Sequence, residues 1–257
     1  MTILVSLLAG AAIGVLLGLL GGGGSILAVP ALVYIMGLDI KQAIPVSLVA
    51  IATASAFGVL PKIRAAQVQW RLAGMFAITG IPATFAGTAV GRQLSQSVLL
   101  VGLAVVMVVA GWRMLREDGD TGTACAAGDS GINWRRCAPR SIAVGILVGL
   151  LTGLFGVGGG FLIIPALVLT LGVEMPVAVG TSLLVIVANS ASGFLAHLSD
   201  ARIDWTVTGA FVGAAIVTSL VAGHLGTRVE TTRLRRWFAY LVFAVAAYVL
   251  VDTAFLH

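Results

Sequence analysis

The chain has 257 residues, of which 59% are hydrophobic and only 10% are charged. A soluble domain carries roughly a quarter of its residues as charged side chains, so this composition excludes an ordinary soluble fold. The formal net charge of +5 does not indicate nucleic-acid binding, because the basic residues lie in short loops between apolar segments and form no long stripe. The sequence therefore predicts no nucleic-acid partner.

Ten apolar runs follow one another, each bounded by charged or turn-forming residues. They cover residues 3–20, 26–37, 43–60, 72–90, 98–115, 142–155, 161–173, 177–195, 207–225 and 238–251. Most approach the ~20 residues that an α-helix needs to cross a ~30 Å hydrocarbon layer. The second and seventh runs, at about a dozen residues, rise only ~18–20 Å and predict broken or re-entrant elements. The expected fold class is an all-α integral membrane protein that passes several times through a lipid bilayer.

The second half of the chain repeats the first at a fixed offset. Residues pair without gaps from Gly14 with Gly149 to Leu115 with Leu250, an offset of 135 positions. The expected division is a first transmembrane repeat at 1–115, a linker at 116–140 and a second transmembrane repeat at 141–257. Each repeat contains five runs, an odd number, so two repeats in series are predicted to be inverted relative to each other.

The placement of charge predicts the same inversion independently. In the first repeat, Lys62, Arg64 and Arg71 lie between the third and fourth runs, whereas the next loop carries only Arg92. In the second repeat this order is reversed, because the charges at 200–204 nearly cancel and four arginines follow within 228–236. By the positive-inside rule, the basic loops and the linker are expected in the cytoplasm and both termini outside, in a bacterial cytoplasmic (inner) membrane.

A glycine cluster recurs in each repeat, as GGGGS at 21–25 and GVGGG at 156–160, and a proline follows six residues after the fourth residue of each. Glycine costs about 1 kcal/mol relative to alanine inside a helix, so each cluster is expected to interrupt the helix and free backbone N–H groups. Such groups at a helix N-terminus attract anions, and two of them from inverted repeats would converge near the midplane. The alternative is that the glycines only let helices pack closely.

Polar side chains inside the apolar runs complete the expected site. Ser182 and Asn189 are seven residues apart and share one helical face, and Ser47 is the repeat partner of Ser182. A serine in a membrane helix usually bonds a carbonyl one turn back, whereas a buried asparagine favours a functional or inter-repeat hydrogen bond. The residues predicted to bind a small anionic substrate are Gly21, Gly22, Gly23, Gly24, Ser25, Ser47, Gly156, Gly158, Gly159, Gly160, Ser182 and Asn189.

These features resemble the TauE/SafE family of membrane transporters, which is implicated in sulfite export and in the movement of organosulfonates. The resemblance covers essentially the whole chain and rests on two glycine clusters, each followed by a proline, Pro30 or Pro165. Ser25 departs from the glycine at its partner position, Gly160. The resemblance implies a secondary transporter that exports a small anion, such as sulfite or an organosulfonate, by alternating access. Transport of another small anion or sulfur compound, and a non-transporting membrane assembly factor, are the alternatives.

Several function classes are disfavoured. No Asp, Glu, Lys or Arg lies near the middle of any apolar run, which argues against a cation transporter or a pump built on a buried carboxylate. The sequence has neither a His-rich metal constellation nor a Gly-x-Ser-x-Gly elbow. It therefore predicts no enzymatic activity, no catalytic residue, no metal and no cofactor, and it leaves homo-oligomerisation open.

The topology yields the first testable prediction. Because the linker at 116–140 is expected in the cytoplasm, a membrane-impermeant maleimide should label Cys125 only after the cells are lysed. Labelling is measured by a mass shift of the purified protein. Equal labelling in intact and lysed cells would place the linker outside and contradict the topology.

Overall fold

The computed structural model describes residues 2–20, 25–116, 127–128, 131–132, 134–165, 167, 173, 175–198, 205–225 and 231–255. The elements are α1 (Thr2–Leu20), α2 (Ala28–Tyr34), α3 (Ile40–Arg64), α4 (Trp70–Gln93), α5 (Gln96–Arg116), β1 (Ala127–Gly128), β2 (Gly131–Ile132), α6 (Trp134–Phe155), α7 (Gly160–Pro165), α8 (Met175–His197), α9 (Trp205–Leu225) and α10 (Thr231–Phe255). The two strands are only two residues long each and pair antiparallel between α5 and α6.

The helices correspond one to one to the ten apolar runs, so the prediction of an all-α membrane protein is confirmed. Within the described residues, five segments are long and apolar enough to cross a membrane: Ile40–Arg64, Trp70–Gln93, Ala138–Phe155, Pro176–His197 and Trp205–Ala222. The short second and seventh runs contain α2, of seven residues, and α7, of which six residues are described. One boundary differs, because α6 begins at Trp134 and makes the end of the expected linker helical.

The two halves of the chain are interleaved in the packing. Among the described residues, the most extensive interfaces all join a helix of one half to a helix of the other: α1 with α9, α4 with α6, α5 with α10, α3 with α8, α4 with α8 and α3 with α9. This set of interfaces follows the repeat: α1–α9 is equivalent to α4–α6, α4–α8 is equivalent to α3–α9, and α3–α8 and α5–α10 each join two repeat partners. We name α1, α3 and α9 the first bundle and α4, α6 and α8 the second bundle; α3 and α8 join them.

Close approaches at glycines show the direction of each helix. On α6, Gly145 lies against Thr79 of α4 and Gly153 against Thr84, so α4 and α6 run parallel. Helices α3 and α8 run antiparallel, since Gly58 lies against Leu183 whereas Gly193 lies against Leu48. These two helices are repeat partners, and opposite directions are what an inverted repeat requires. Which end faces the cytoplasm stays a prediction.

Glycines at four-residue spacing bring the backbones of α4 and α6 together. A Cβ added to Gly149 would overlap the carbonyl oxygen of Gly80 and lie 2.8 Å from the Cα of Gly80 and 2.9 Å from the Cβ of Ala83. Backbones that touch in this way gain van der Waals contact in a membrane, where apolar burial gives helices little reason to associate. Gly145, Gly149 and Gly153 thus serve close helix packing, and the same role stays open for the two glycine clusters.

The second prediction compares two glycine substitutions in helices. Gly149→Ala should lower the apparent Tm in detergent, because overpacking at a backbone contact costs about 1–3 kcal/mol. Gly213→Ala in α9 is the matched control: nothing lies within 4 Å of its Cβ position, so it should keep or raise the Tm through better helix propensity. Intrinsic tryptophan fluorescence during heating measures both. A Tm that falls equally in both variants would contradict the packing role of Gly149.

Candidate functional site

The second glycine cluster forms a buried turn between α6 and α7, at residues 156–159, which we name the glycine turn. Gly156, Gly158 and Gly159 have φ angles of 67°, 66° and 68°, in the left-handed region that favours glycine. The amide of Gly156 still donates to the carbonyl of Thr152, at 2.9 Å. The amides of Val157, Gly158 and Gly159 donate to no acceptor in the described part of the chain. The turn therefore leaves backbone donors available inside the protein, as the sequence predicts for this cluster.

Neighbouring side chains hold the glycine turn closely. A Cβ on Gly159 would overlap the side chain of Val148, and a Cβ on Gly156 would lie 2.9 Å from the Cα of Ile44. Bulky substitutions here would disturb the backbone with or without a ligand. A loss of transport in Gly159→Val therefore does not distinguish a binding role from a packing role, and other positions are needed to test the site.

Ser47 connects the glycine turn to the first repeat. Its Oγ lies 2.9 Å from the carbonyl oxygen of Gly156 and 2.7 Å from that of Ile44, so the hydroxyl donates within the protein. Ser182, the repeat partner of Ser47, donates to the carbonyl of Val179 at 2.9 Å. Both serines are fully buried. The proton of each hydroxyl is thus engaged, and each oxygen keeps only acceptor capacity, which is the wrong polarity for an anion.

The remaining predicted residues are placed as follows. Gly21, Gly22, Gly23 and Gly24 lie outside the described residues, so their expected role stays a prediction. Ser25 is fully buried just before α2, and Gly160 is the first residue of α7. The expected role of Ser25 and Gly160 in anion binding stays a prediction.

Unpaired polar atoms are buried halfway along α3 and α8. Ser55 Oγ, Ser190 Oγ and both side-chain polar atoms of Asn189 have no hydrogen-bond partner among the described residues, and the three side chains are at most 2% exposed. We name these three residues the central polar cluster. Ser55 lies on α3 between the contact positions Leu48 and Gly58, and the other two lie on α8 between Leu183 and Gly193. The cluster is therefore at the middle of the α3–α8 interface.

The central polar cluster adjoins both the glycine turn and α4. The Cβ position of Gly158 lies 2.9 Å from Ser190 Oγ, so this hydroxyl is next to the free amides of the turn. The Cβ position of Gly80 lies 2.6 Å from Asn189 Oδ1, so any side chain at position 80 would displace the amide. Ser190 and Asn189 therefore place a hydroxyl and a side-chain amide close to the turn, and Ser55 adds a second hydroxyl on the facing helix; these groups and the backbone N–H groups are donors of the kind that a small anion needs.

Comparison with known proteins identifies the family. The sequence profile of the family described as sulfite exporter TauE/SafE matches residues 6–249. The chain belongs to this family.

Individual relatives agree with that assignment. The "Probable membrane transporter protein" of Xylella fastidiosa (strain 9a5c) is 35% identical over 255 residues, 97% of this chain and 95% of the relative. The "Probable membrane transporter protein YunE" of Bacillus subtilis (strain 168) is 25% identical over 248 residues, which cover 90% of this chain and 91% of the relative. The protein is thus similar over nearly its full length to members named as membrane transporters.

Sequence reasoning for this TauE/SafE-family protein proposed Asn189 but not Ser55 and Ser190. The two serines are repeat partners, and each shares a helical face with residues that contact the opposite helix. The sequence does show a serine at the same position of both repeats. It does not show that these hydroxyls lack a partner, since most serines in membrane helices bond their own backbone, as Ser182 does.

The third prediction separates unpaired from paired hydroxyls by stability. Ser190→Ala and Ser55→Ala should each raise or preserve the Tm, because an unsatisfied buried hydroxyl costs about 1–3 kcal/mol. Ser47→Ala should lower the Tm, because it removes a hydrogen bond between the repeats worth about 1 kcal/mol. The measurement is thermal unfolding in detergent without added anions. A clear loss of stability in Ser190→Ala would show that its hydroxyl is paired.

Proposed function

We propose that this membrane transporter of the TauE/SafE family is a secondary transporter that exports a small anion, sulfite or an organosulfonate, and binds it at the central polar cluster beside the glycine turn. The observation that carries the proposal is the set of unpaired donors at Ser55, Asn189 and Ser190, fully enclosed and midway along two crossing helices. Transporters of inverted design bind their substrates at this depth.

The cost of the unpaired atoms is the physical argument for a ligand. Each buried donor without a partner costs about 1–3 kcal/mol, and an anion that accepts hydrogen bonds from several of them would remove that cost. Hydrogen bonds to a charged acceptor are also stronger than those between neutral groups. No carboxylate is buried among the described residues to balance the charge of a bound cation, and the cluster and turn offer donors: hydroxyls, an amide and backbone N–H groups.

The packing supports alternating access in which the first and second bundles, rather than the two repeats, move against each other. Rocking of one repeat against the other would break most of the helix interfaces, because α1 packs on α9 and α4 packs on α6. The proposed motion is instead between the first and second bundles, about the α3–α8 interface. The antiparallel course of α3 and α8 supports the inverted arrangement that such a motion uses.

One end of the α3–α8 interface is tightly packed. Near the C-terminus of α3, a Cβ on Gly180 would overlap the carbonyl oxygen of Gln67. The amide of Gln69 donates to Thr181 Oγ1 at 3.0 Å, which joins the α3–α4 loop to α8. This is the end that carries Lys62 and Arg64, which the positive-inside rule predicts to face the cytoplasm. The arrangement supports a state that is closed toward the cytoplasm.

Two alternatives remain as outcomes of one experiment. Transport of a different small anion or sulfur compound uses the same donors, and a membrane assembly factor needs no flux at all. Purified protein in proteoliposomes should exchange internal sulfite for external [35S]sulfite, with isethionate, thiosulfate and acetate tested as competitors. Sulfite exchange that isethionate inhibits supports the proposal; exchange inhibited only by another anion changes the substrate, and absence of any exchange favours the assembly factor.

The fourth prediction ties the flux to the central polar cluster. Asn189→Ala and Ser190→Ala should each reduce sulfite exchange at least about tenfold, equivalent to about 1.4 kcal/mol of lost binding or transition-state stabilisation. Ser192→Ala is the matched control on α8, because its hydroxyl bonds its own helix at the carbonyl of Asn189, at 2.9 Å. It should keep exchange within twofold of wild type. Equal exchange in all three variants would exclude the central polar cluster as the binding site.

A further inference from the structure

A cavity of about 340 Å³ opens at the end of the molecule opposite to the tightly packed one. It is lined by the beginning of α3, the ends of α4, α6 and α8, and the first turns of α5: Lys41, Ile44, Gly91, Arg92, Leu99, Leu154 and His197. The cavity therefore lies between the first bundle, which contributes α3, and the second bundle, which contributes α4, α6 and α8. Motion between the two bundles would therefore open or close a path from this cavity toward the central polar cluster.

The lining of this cavity is basic. Lys41 and Arg92 are cationic and exposed, and no carboxylate in the described part of the chain lines it. Arg92 is oriented by α8, because its Nη2 donates to the carbonyl oxygen of Ala196 at 2.7 Å. His197 is also held in place, with Nδ1 2.9 Å from the carbonyl oxygen of Gly193. A concave site with charge of one sign and apolar walls concentrates ions of the opposite sign.

The glycine turn lies next to residues that line the cavity. Ile44 lines the cavity, and its Cα lies 2.9 Å from the Cβ position of Gly156. Leu154, another lining residue, is two positions before that glycine. Along α3, Lys41 lies about 9 Å from Ser47, and Ser47 about 12 Å from Ser55, at ~1.5 Å per residue. The Ser47–Gly156 hydrogen bond therefore lies between the cavity and the central polar cluster.

We propose that this cavity is a second anion-binding site, a vestibule in which Lys41 and Arg92 hold a small oxyanion or sulfonate above the Ser47–Gly156 contact before or after it occupies the central polar cluster. The proposal rests on the proposed function for the identity of the anion. The vestibule differs from the central polar cluster in its chemistry. Charged side chains attract the anion in the vestibule, whereas neutral hydrogen-bond donors bind it at the central polar cluster. Binding in the vestibule should therefore weaken with ionic strength, and binding at the centre much less.

The fifth prediction concerns the two cations. Lys41→Gln and Arg92→Gln should each raise the KM for sulfite exchange about two- to fivefold, the effect of losing one partly screened charge contact, with the maximal rate within twofold of wild type. Lys41→Arg and Arg92→Lys keep the charge and should keep the wild-type KM. Arg64→Gln, at the opposite end of α3, is the matched control with an exposed cation outside the cavity, and its KM should also be unchanged.

Equilibrium binding of sulfite to the detergent-solubilised protein, at low and high ionic strength, tests the vestibule without transport. Affinity that falls with salt in wild type, and that falls in Lys41→Gln but not in Arg64→Gln, supports the vestibule even if no flux is found, in which case only the proposed function fails. Wild-type KM and affinity in both glutamine variants would overturn the proposal. An equal rise of KM in Arg92→Lys and Arg92→Gln would also overturn it for Arg92, because the Ala196 contact rather than the charge would then be responsible.

Discussion

A polar group that is buried away from water needs a hydrogen-bond partner within the protein. The buried groups that lack such a partner are the feature on which the proposed binding site depends. Its helices satisfy their own backbones, and hydroxyls such as those of Thr84, Thr152 and Ser192 bond carbonyls of the same helix. Among the described residues, most of the exceptions lie in one region, the glycine turn and the central polar cluster, and the hydroxyl of Tyr34 on α2 is a separate one. A random distribution of unsatisfied groups would be a defect of packing. Their concentration at the α3–α8 interface is what a site built to bind a polar ligand requires.

The interleaving of the halves explains how such a site can exist without destabilising the rest. Helices α1 and α9, and α4 and α6, are joined by close backbone contacts at glycines, including Gly14 against Ala215 and Gly149 against Gly80. These contacts make two firm bundles, each with helices from both halves. The α3–α8 interface between them contains polar side chains and the left-handed turn instead. The closest backbone contacts of α1 with α9 and of α4 with α6 are thus inside the bundles, and the unsatisfied polar atoms of the central polar cluster are between the bundles.

Most of the fold could be predicted from the sequence, because apolar length and glycine interruption are local properties. The ten runs became ten helices, and the short second and seventh runs became α2 and α7. The site was harder, because it depends on which hydroxyls remain unpaired after packing. Ser47 and Ser55 look equivalent in the sequence, yet the first bonds the carbonyl of Gly156 and the second has no partner in the part of the chain that the structure describes. The cavity at Lys41 and Arg92 could not be predicted from the sequence either, since it is formed by helix ends far apart in the chain.

The departures from repeat symmetry are the places where the two faces of the protein can differ. A perfectly symmetric inverted pair would present the same surface to both sides of a membrane and would have no built-in difference between them. Here the offset of 135 pairs Lys41 with Pro176, Arg92 with Thr227, and Asn189 with Ala54. The basic vestibule therefore has no equivalent pair of cations in the other repeat, although His197 is paired with Lys62. In the proposed alternating access, the shared framework would allow two related conformations, and these unmatched residues would make the charges at the two ends differ.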